Sequence, residues 1–216
     1  MKNANRQNSW FRGQTGFTLI ELAIVLVIIG IIIGAVLKGQ DLVENGRHKR
    51  LGAEIKQWEV LIWTYFDRER RFPGDGDNSG KGDGTIGENG EANDNAKSDF
   101  TTAAFASQPS TNTLTLGSST FYIYFGNAGT KKNAIIVCTS ELCDATFSEP
   151  EETGYAKFFD GAIDDTVSAS DGRVRAFNGF TGTPSSAKWT ATLTATSTTG
   201  YTSAMKAFAY FFDRKL

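Results

Sequence analysis

The sequence predicts an α+β fold in which a long N-terminal α-helix packs against a small antiparallel β-sheet. Three observations lead to this prediction. An apolar run covers residues 17–37, a helical stripe of apolar side chains follows within residues 38–72, and period-two alternation occurs in residues 73–216. Helical and strand periodicities that occupy separate parts of a chain are typical of α+β domains.

The apolar run is long enough to cross a membrane. Only Thr18 and Glu21 are clearly polar in it, and a helix of this length extends about 30 Å, the thickness of a bilayer's hydrocarbon core. The residues in front of it carry three basic side chains and no acid. A secretory signal peptide would have a shorter apolar stretch followed by a small-residue cleavage site. No such site follows the run, so we expect cleavage in front of it, after Gly16.

The segment Gly16-Phe17-Thr18-Leu19-Ile20-Glu21-Leu22 resembles the class III leader of type IV pilins and type II secretion pseudopilins. The resemblance implies that prepilin peptidase cleaves after Gly16 and that Phe17 becomes the N-methylated N-terminus. It also implies a single-pass protein of the bacterial inner membrane, with a cytoplasmic N-terminus and a periplasmic C-terminal domain. Other pilin or pseudopilin subunits and an assembly platform would be its partners, and the helix would enter the core of a pilus or pseudopilus.

Glu21 needs a physical explanation, because a carboxylate at mid-bilayer costs about 2.5–3.5 kcal/mol on insertion scales. A local explanation is a capping box, since Thr18 and Glu21 have the required spacing and the helix dipole favours the negative charge. The resemblance implies a second role in assembly, in which Glu21 pairs with the amino group of Phe17 on a neighbouring subunit. The two roles are compatible.

The apolar stripe predicts that the helix continues beyond the membrane. It recurs at offsets of 0, 4, 7, 11 and 14, through Leu51, Ile55, Trp58, Ile62 and Tyr65. Pro73 and Gly74 follow a cluster of arginines and predict the end of the helix. The predicted organisation is a cleaved leader (1–16), a transmembrane or filament-core helix (17–37), its amphipathic continuation (38–72) and a globular head (73–216).

Part of the glycine-rich, acidic segment after the helix fits a calcium-binding loop. Oxygen-bearing side chains occupy positions 1, 3, 5 and 9 of a 12-residue template that has glycine at position 6: Asp75, Asp77, Ser79 and Asp83. Position 12 is Ile86 in place of a bidentate glutamate, so the strongest ligand is missing. The alternative is a polar loop that resists aggregation. No cofactor is required, and calcium is the candidate ion.

Alternating segments predict strands at Thr120–Phe125, Ala134–Cys138 and Lys188–Thr196, and residues 205–212 form a final strand or helix. Cys138 and Cys143 predict a disulfide, because an exported domain meets an oxidising compartment and no other thiol is present to complete a metal site. A second group of acids either converges on a cation or solvates a turn: Asp160, Asp164, Asp165 and Asp171.

The sequence favours a pilin-like structural subunit of a type IV pilus or type II secretion pseudopilus, and the long mature chain favours a minor subunit. The alternative is a non-polymerising, membrane-anchored periplasmic binding protein with a calcium-stabilised head. An enzyme is not expected, because His48 is the single histidine and no nucleophile–base spacing emerges. The net charge of −2 argues against broad nucleic-acid binding.

Overall fold

The computed structural model describes residues 16–76, 82–87, 94–105, 108–127, 132–179, 184–192 and 200–213. The helices and strands in these residues are α1 (Leu19–Glu69), α2 (Ala96–Ala103), β1 (Thr113–Leu116), β2 (Ser119–Asn127), β3 (Asn133–Cys138), α3 (Glu151–Asp164), β4 (Val174–Phe177) and β5 (Ala207–Tyr210). The strands form one antiparallel sheet in the order β1-β2-β3-β5-β4. The predicted α+β arrangement, a long N-terminal helix with a small antiparallel sheet, is confirmed.

The chain divides into two compact units, Met1–Glu44 and Asn45–Leu216, and α1 contributes residues to both. In the described part of the first unit, the helix presents apolar side chains to the outside all round, and Leu19, Ile20 and Leu26 are at least 67% exposed. The most apolar window of α1 has a mean hydropathy of 3.0 and none of it is buried. By length and composition this helix is able to cross a membrane, which fits the predicted anchor.

The second half of α1 packs on the sheet through the predicted stripe, all of which is buried: Leu51, Ile55, Trp58, Ile62 and Tyr65, joined by Leu61. Trp58 lies at the centre of this contact. Its ring centroid is 6.0 Å from that of Phe100 in α2, 5.2 Å from Phe125 in β2 and 5.6 Å from Trp189. One side chain of α1 therefore contacts α2, the sheet and the 184–192 segment.

The sheet is buried on both faces. The face toward α1 carries Phe121, Ile123 and Phe125 of β2, as the alternation of residues 120–125 predicts. The opposite face carries a second apolar cluster that includes Tyr124, Ile136, Cys138, Ala209 and Phe211. Every residue of β3 and β5 is buried, so these central strands are continuous apolar runs. The last segment therefore forms a strand although its sequence lacks alternation.

The predicted strand at Lys188–Thr196 is wrong over its described residues, 188–192, and the rest of it lies outside the described residues. Thr190 forms only isolated bridges, with Phe125 and Ser185. Trp189 has a φ of 60°, and residues 189–191 are buried in succession. The apolar residues of this segment are buried in a turn that inserts Trp189 beside Trp58, so their alternation does not mark a strand.

Asp94 connects this turn to α2. The hydroxyl of Thr190 donates a hydrogen bond to Oδ2 of Asp94 at 3.4 Å, and the amide of Lys97 donates to the carbonyl of Lys188 at 3.1 Å. Burial raises the pKa of the Asp94 carboxyl to about 6. The folded chain therefore retains a proton on Asp94 over a pH range in which the unfolded chain has lost it.

The first prediction concerns the buried face of α1. Ile62→Ala should lower the free energy of unfolding of the second unit by about 2–5 kcal/mol, because it removes fully buried methyl groups and leaves a cavity. Val60 is 64% exposed on the same helix, so Val60→Ala should change it by less than about 0.5 kcal/mol. Urea denaturation of the full chain in detergent, followed by tryptophan fluorescence, measures both variants. Equal effects would contradict the assigned face.

The second prediction concerns Asp94. Because its folded pKa is raised, its contribution makes the free energy of unfolding fall as the pH rises from about 4 to about 6. Asp94→Asn removes that contribution, so the variant should gain stability relative to the wild type across this interval. Urea denaturation at pH 4, 5, 6 and 7 measures the difference, with the exposed Asp171→Asn as the control. A difference that is independent of pH would contradict the assignment.

Candidate functional site

The N-terminus of α1 forms the capping box that the spacing of Thr18 and Glu21 predicts. The amide of Thr18 donates to Oε2 of Glu21 at 2.7 Å, and its hydroxyl donates to the same oxygen at 2.8 Å. The amide of Glu21 donates back to the hydroxyl oxygen of Thr18 at 3.3 Å. The carboxylate therefore folds back over the first turn of the helix, next to the residue that cleavage would turn into the N-terminus.

The two oxygens of Glu21 are used differently. Oε2 accepts both hydrogen bonds from Thr18, whereas Oε1 accepts none from the described residues. Phe17 is 83% exposed and precedes the first helical turn, and a side chain at Gly16 would meet no atom within 4 Å. The arrangement offers an open peptide bond to a peptidase and a second carboxylate oxygen to an external cation.

The predicted calcium residues are only partly described. Asp77 and Ser79 lie outside the described residues. Asp75 is buried, and its carboxylate accepts backbone amides of Asp83 at 2.9 Å and Gly84 at 3.0 Å. Burial raises the pKa of the Asp75 carboxyl, although these amides oppose the shift. The carboxylate of Asp75 thus holds the loop closed through backbone amides.

The second acidic group also binds backbone. Asp160 is buried and accepts the amide of Ser168 at 2.7 Å, and Asp164 accepts the amides of Arg173 at 2.6 Å and Val174 at 2.9 Å. These bonds fix the turn between α3 and β4. In the described part of the chain, no group of three or more histidine, cysteine, aspartate or glutamate side chains is placed to hold a metal ion. The structure favours the loop-forming role of these acids.

The predicted disulfide between Cys138 and Cys143 is present, with the two Cα atoms 5.2 Å apart. It closes a loop at the end of β3. The hydroxyl of Tyr124 donates to the carbonyl of Glu141, and the hydroxyl of Ser140 donates to Asp144 at 2.7 Å. Leu142 is nevertheless 53% exposed at the tip of this loop.

A polar cluster between α1 and the sheet was not predicted. The hydroxyl of Tyr210 donates to Oε2 of Glu59 at 3.0 Å and accepts from Lys56 and, at 2.7 Å, from Arg173. Burial raises the pKa of the Tyr210 hydroxyl. The spacing of Lys56 and Glu59 predicts a pair on one helix face, but nothing local indicates partners from β5 and the start of β4. The cluster fixes α1 on the sheet.

Comparison with known proteins adds one finding. Residues 11–37 match the family model described as the prokaryotic N-terminal methylation motif. Searches of curated proteins and of solved structures found no match to the chain. The matched residues include the capping box and the exposed apolar start of α1, so the match and the geometry concern the same segment. Residues 11–37 carry the class III prepilin leader of type IV pilins and pseudopilins.

Proposed function

We propose that this chain is a pilin-like structural subunit, cleaved between Gly16 and Phe17 by prepilin peptidase and assembled, as a minor subunit, into a type IV pilus or a type II secretion pseudopilus. The observation that carries the proposal is Glu21, a carboxylate held at the start of a fully exposed apolar helix within the matched motif. The motif points to a structural subunit rather than an enzyme.

Processing is the first step. The peptide between Gly16 and Phe17 lies in irregular backbone ahead of the first turn of α1. Peptidases act on extended, exposed backbone, so this bond is open to cleavage without unwinding the helix. Cleavage converts the amide nitrogen of Phe17 into a positively charged amino group. Phe17 is four positions before Glu21 in the sequence. The chain then carries both charges of an ion pair at one end of α1.

Assembly uses the two charges between copies. A carboxylate and an amino group that both enter an apolar filament core are costly alone, and pairing offsets much of that cost. The oxygen Oε1 of Glu21 is open to such a partner while Oε2 stays bonded to Thr18. The cationic partner of Glu21 is the Phe17 amino group of a neighbouring subunit. The resulting ion pair fixes how far one helix is displaced along the next.

The alternative is a membrane-anchored periplasmic binding protein that does not polymerise and has a calcium-stabilised head. It would use the same apolar helix as an anchor, and it would leave the second oxygen of Glu21 without a role. Within the described residues Asp75 is bonded to backbone amides. Asp83 accepts the amide of Thr85 at 2.9 Å. Asp77 and Ser79, the other two predicted ligands, lie outside the described residues, so the alternative depends on them.

The third prediction tests processing. Co-expression with a prepilin peptidase should shorten the wild-type chain by the 16-residue leader and leave an N-methylated Phe17, because the motif presents the bond after Gly16. Gly16→Val should leave the chain full-length, whereas Gln14→Ala, within the leader, should be cleaved normally. Intact-mass spectrometry reads all three chains. Cleavage at any other bond would refute the assigned site.

The fourth prediction separates capping from pairing at Glu21. Glu21→Gln keeps an oxygen that accepts from Thr18 but removes the charge, whereas Glu21→Val removes both. Both variants should be cleaved and inserted, and both should reduce recovery of the chain in sheared filaments by about a hundredfold or more, since each leaves the Phe17 amino group unpaired.

Immunoblots measure the recovery as the amount of chain in sheared filaments relative to the amount in membranes. Thr18→Val is the control, because it removes the hydroxyl of the capping box and keeps the charge of Glu21. If Glu21→Gln assembles like the wild type, the charge has no role in assembly and the pairing is wrong.

A further inference from the structure

An apolar groove of about 240 Å³ opens between α1 and α3 within the second unit. Phe159 is its buried lining residue, Phe158 and Ile163 are partly buried, and the exposed Ala53 and Ala162 line it together with Lys49 and Lys56 of α1. The helices approach closely here because Gly52 has no side chain; a Cβ atom would lie 3.3 Å from the ring of Phe159. The volume is smaller than that of most small-molecule sites and suits about one or two aliphatic side chains.

The groove is cationic at its border. Lys49 is exposed and forms no ion pair with the residues that the structure describes. Lys56 is bonded to Glu59 at 2.9 Å, and its side chain is still 41% exposed. Lys49, beside apolar side chains and the partly exposed Lys56 that is paired with Glu59 and Tyr210, favours a group that combines an aliphatic side chain with neighbouring carboxylates.

The disulfide loop carries such a group. Leu142 is 53% exposed and lies between the exposed acids Glu141 and Asp144. The loop is held in place by the disulfide, by the bond from Tyr124 to the carbonyl of Glu141, and by Ser140, whose hydroxyl oxygen also accepts the amide of Asp144 at 3.1 Å. A loop that is already rigid loses little conformational entropy when it binds.

The groove and the loop lie on opposite sides of the sheet. Cys138 and Cys143 belong to the apolar cluster on the face away from α1, whereas Phe159 of α3 packs on the face toward α1, 6.2 Å from the ring of Phe208. The two surfaces therefore cannot meet within one chain. A contact between two different surfaces of identical chains leaves one of each surface unused on the outer copies, so further copies are able to add in a ring or an open filament.

We infer that the α1–α3 groove of one copy binds Leu142 of the next copy, with Glu141 and Asp144 facing Lys49 and Lys56. The inference rests on the proposed function and adds the requirement that at least two copies of this minor subunit lie next to each other in the assembly. It adds a contact between heads to the pairing of Phe17 and Glu21, and it identifies the occupant of the groove as a second copy of this chain.

Zero-length carbodiimide cross-linking tests the contact, because this reagent joins a lysine only to a carboxylate that it touches. Cells are moved from ¹⁴N to ¹⁵N medium during growth, so that cleaved chains of both isotopes enter the same filaments, and these filaments are cross-linked. Mass spectrometry should find Lys49 or Lys56 joined to Glu141 or Asp144 in peptides that combine the two isotopes. Lys49→Arg keeps the charge and should assemble while losing the cross-links of Lys49.

Two matched pairs of variants test the fit. Leu142→Ser should lower the yield of these cross-links about tenfold or more, and Val167→Ser, at a side chain that is 57% exposed, should leave it within about twofold. Ala53→Trp fills the groove and should lower the yield similarly, whereas Gln57→Trp, one turn further along the same helix, should not.

Chains that are cleaved and present in filaments could instead have the lysines of the groove linked to other carboxylates, to another protein or to nothing. Each of these results would overturn the docking and leave the proposed function standing. Lysine–carboxylate links that occur only in single-isotope peptides, with no mixed-isotope peptides, would also overturn it, since they would place both surfaces within one chain. Chains that stay uncleaved and absent from filaments would overturn both proposals. Cross-links that survive Leu142→Ser and Ala53→Trp unchanged would show that the groove is not the binding surface.

Discussion

The burial of one stripe of α1 against the sheet is the contact on which the second unit depends. Trp58 shows why, since its ring contacts α2, β2 and the turn that holds Trp189. Full burial of an aliphatic or aromatic side chain stabilises a fold by about 1.5–3 kcal/mol, and the stripe supplies several such side chains. The same helix α1 also contains the exposed apolar run of the first unit.

Carboxylates hold the loops around this core. Asp99 accepts two bonds from Arg71, at 2.9 and 2.7 Å, and the amide of Gly74 at 2.8 Å, which fixes the chain just after α1. Asp75 and Asp164 bind backbone amides of their own loops in the same way. Hydrogen bonds to charged groups are worth about 1.5–3 kcal/mol, so each of these carboxylates holds the described backbone that it binds.

Local spacing made part of this structure predictable. The capping box, the buried stripe and the disulfide each depend on residues a few positions apart, and all three are present. Strand β5 was ambiguous because both of its faces are buried, which removes alternation. The cluster around Tyr210 joins residues far apart in the chain, so only the fold brings them together. The segment around Trp189 alternates in sequence as a strand does, yet it forms a turn whose apolar residues are buried. The sequence pattern alone does not distinguish such a turn from a strand.

The two roles of Glu21 succeed one another. In a lone subunit, the bonds from Thr18 at 2.7 and 2.8 Å and the helix dipole reduce the cost of a carboxylate near an apolar segment. These bonds use one oxygen, so the carboxylate reaches the proposed assembly already oriented and with its other oxygen open. A longer side chain, or one without hydrogen bonds to hold it, would lose rotamer entropy on pairing. The Glu21 side chain has already lost that entropy in the capping box. Capping would thus lower the cost of the proposed pairing, because the Thr18–Glu21 spacing orients the carboxylate before a neighbouring subunit arrives.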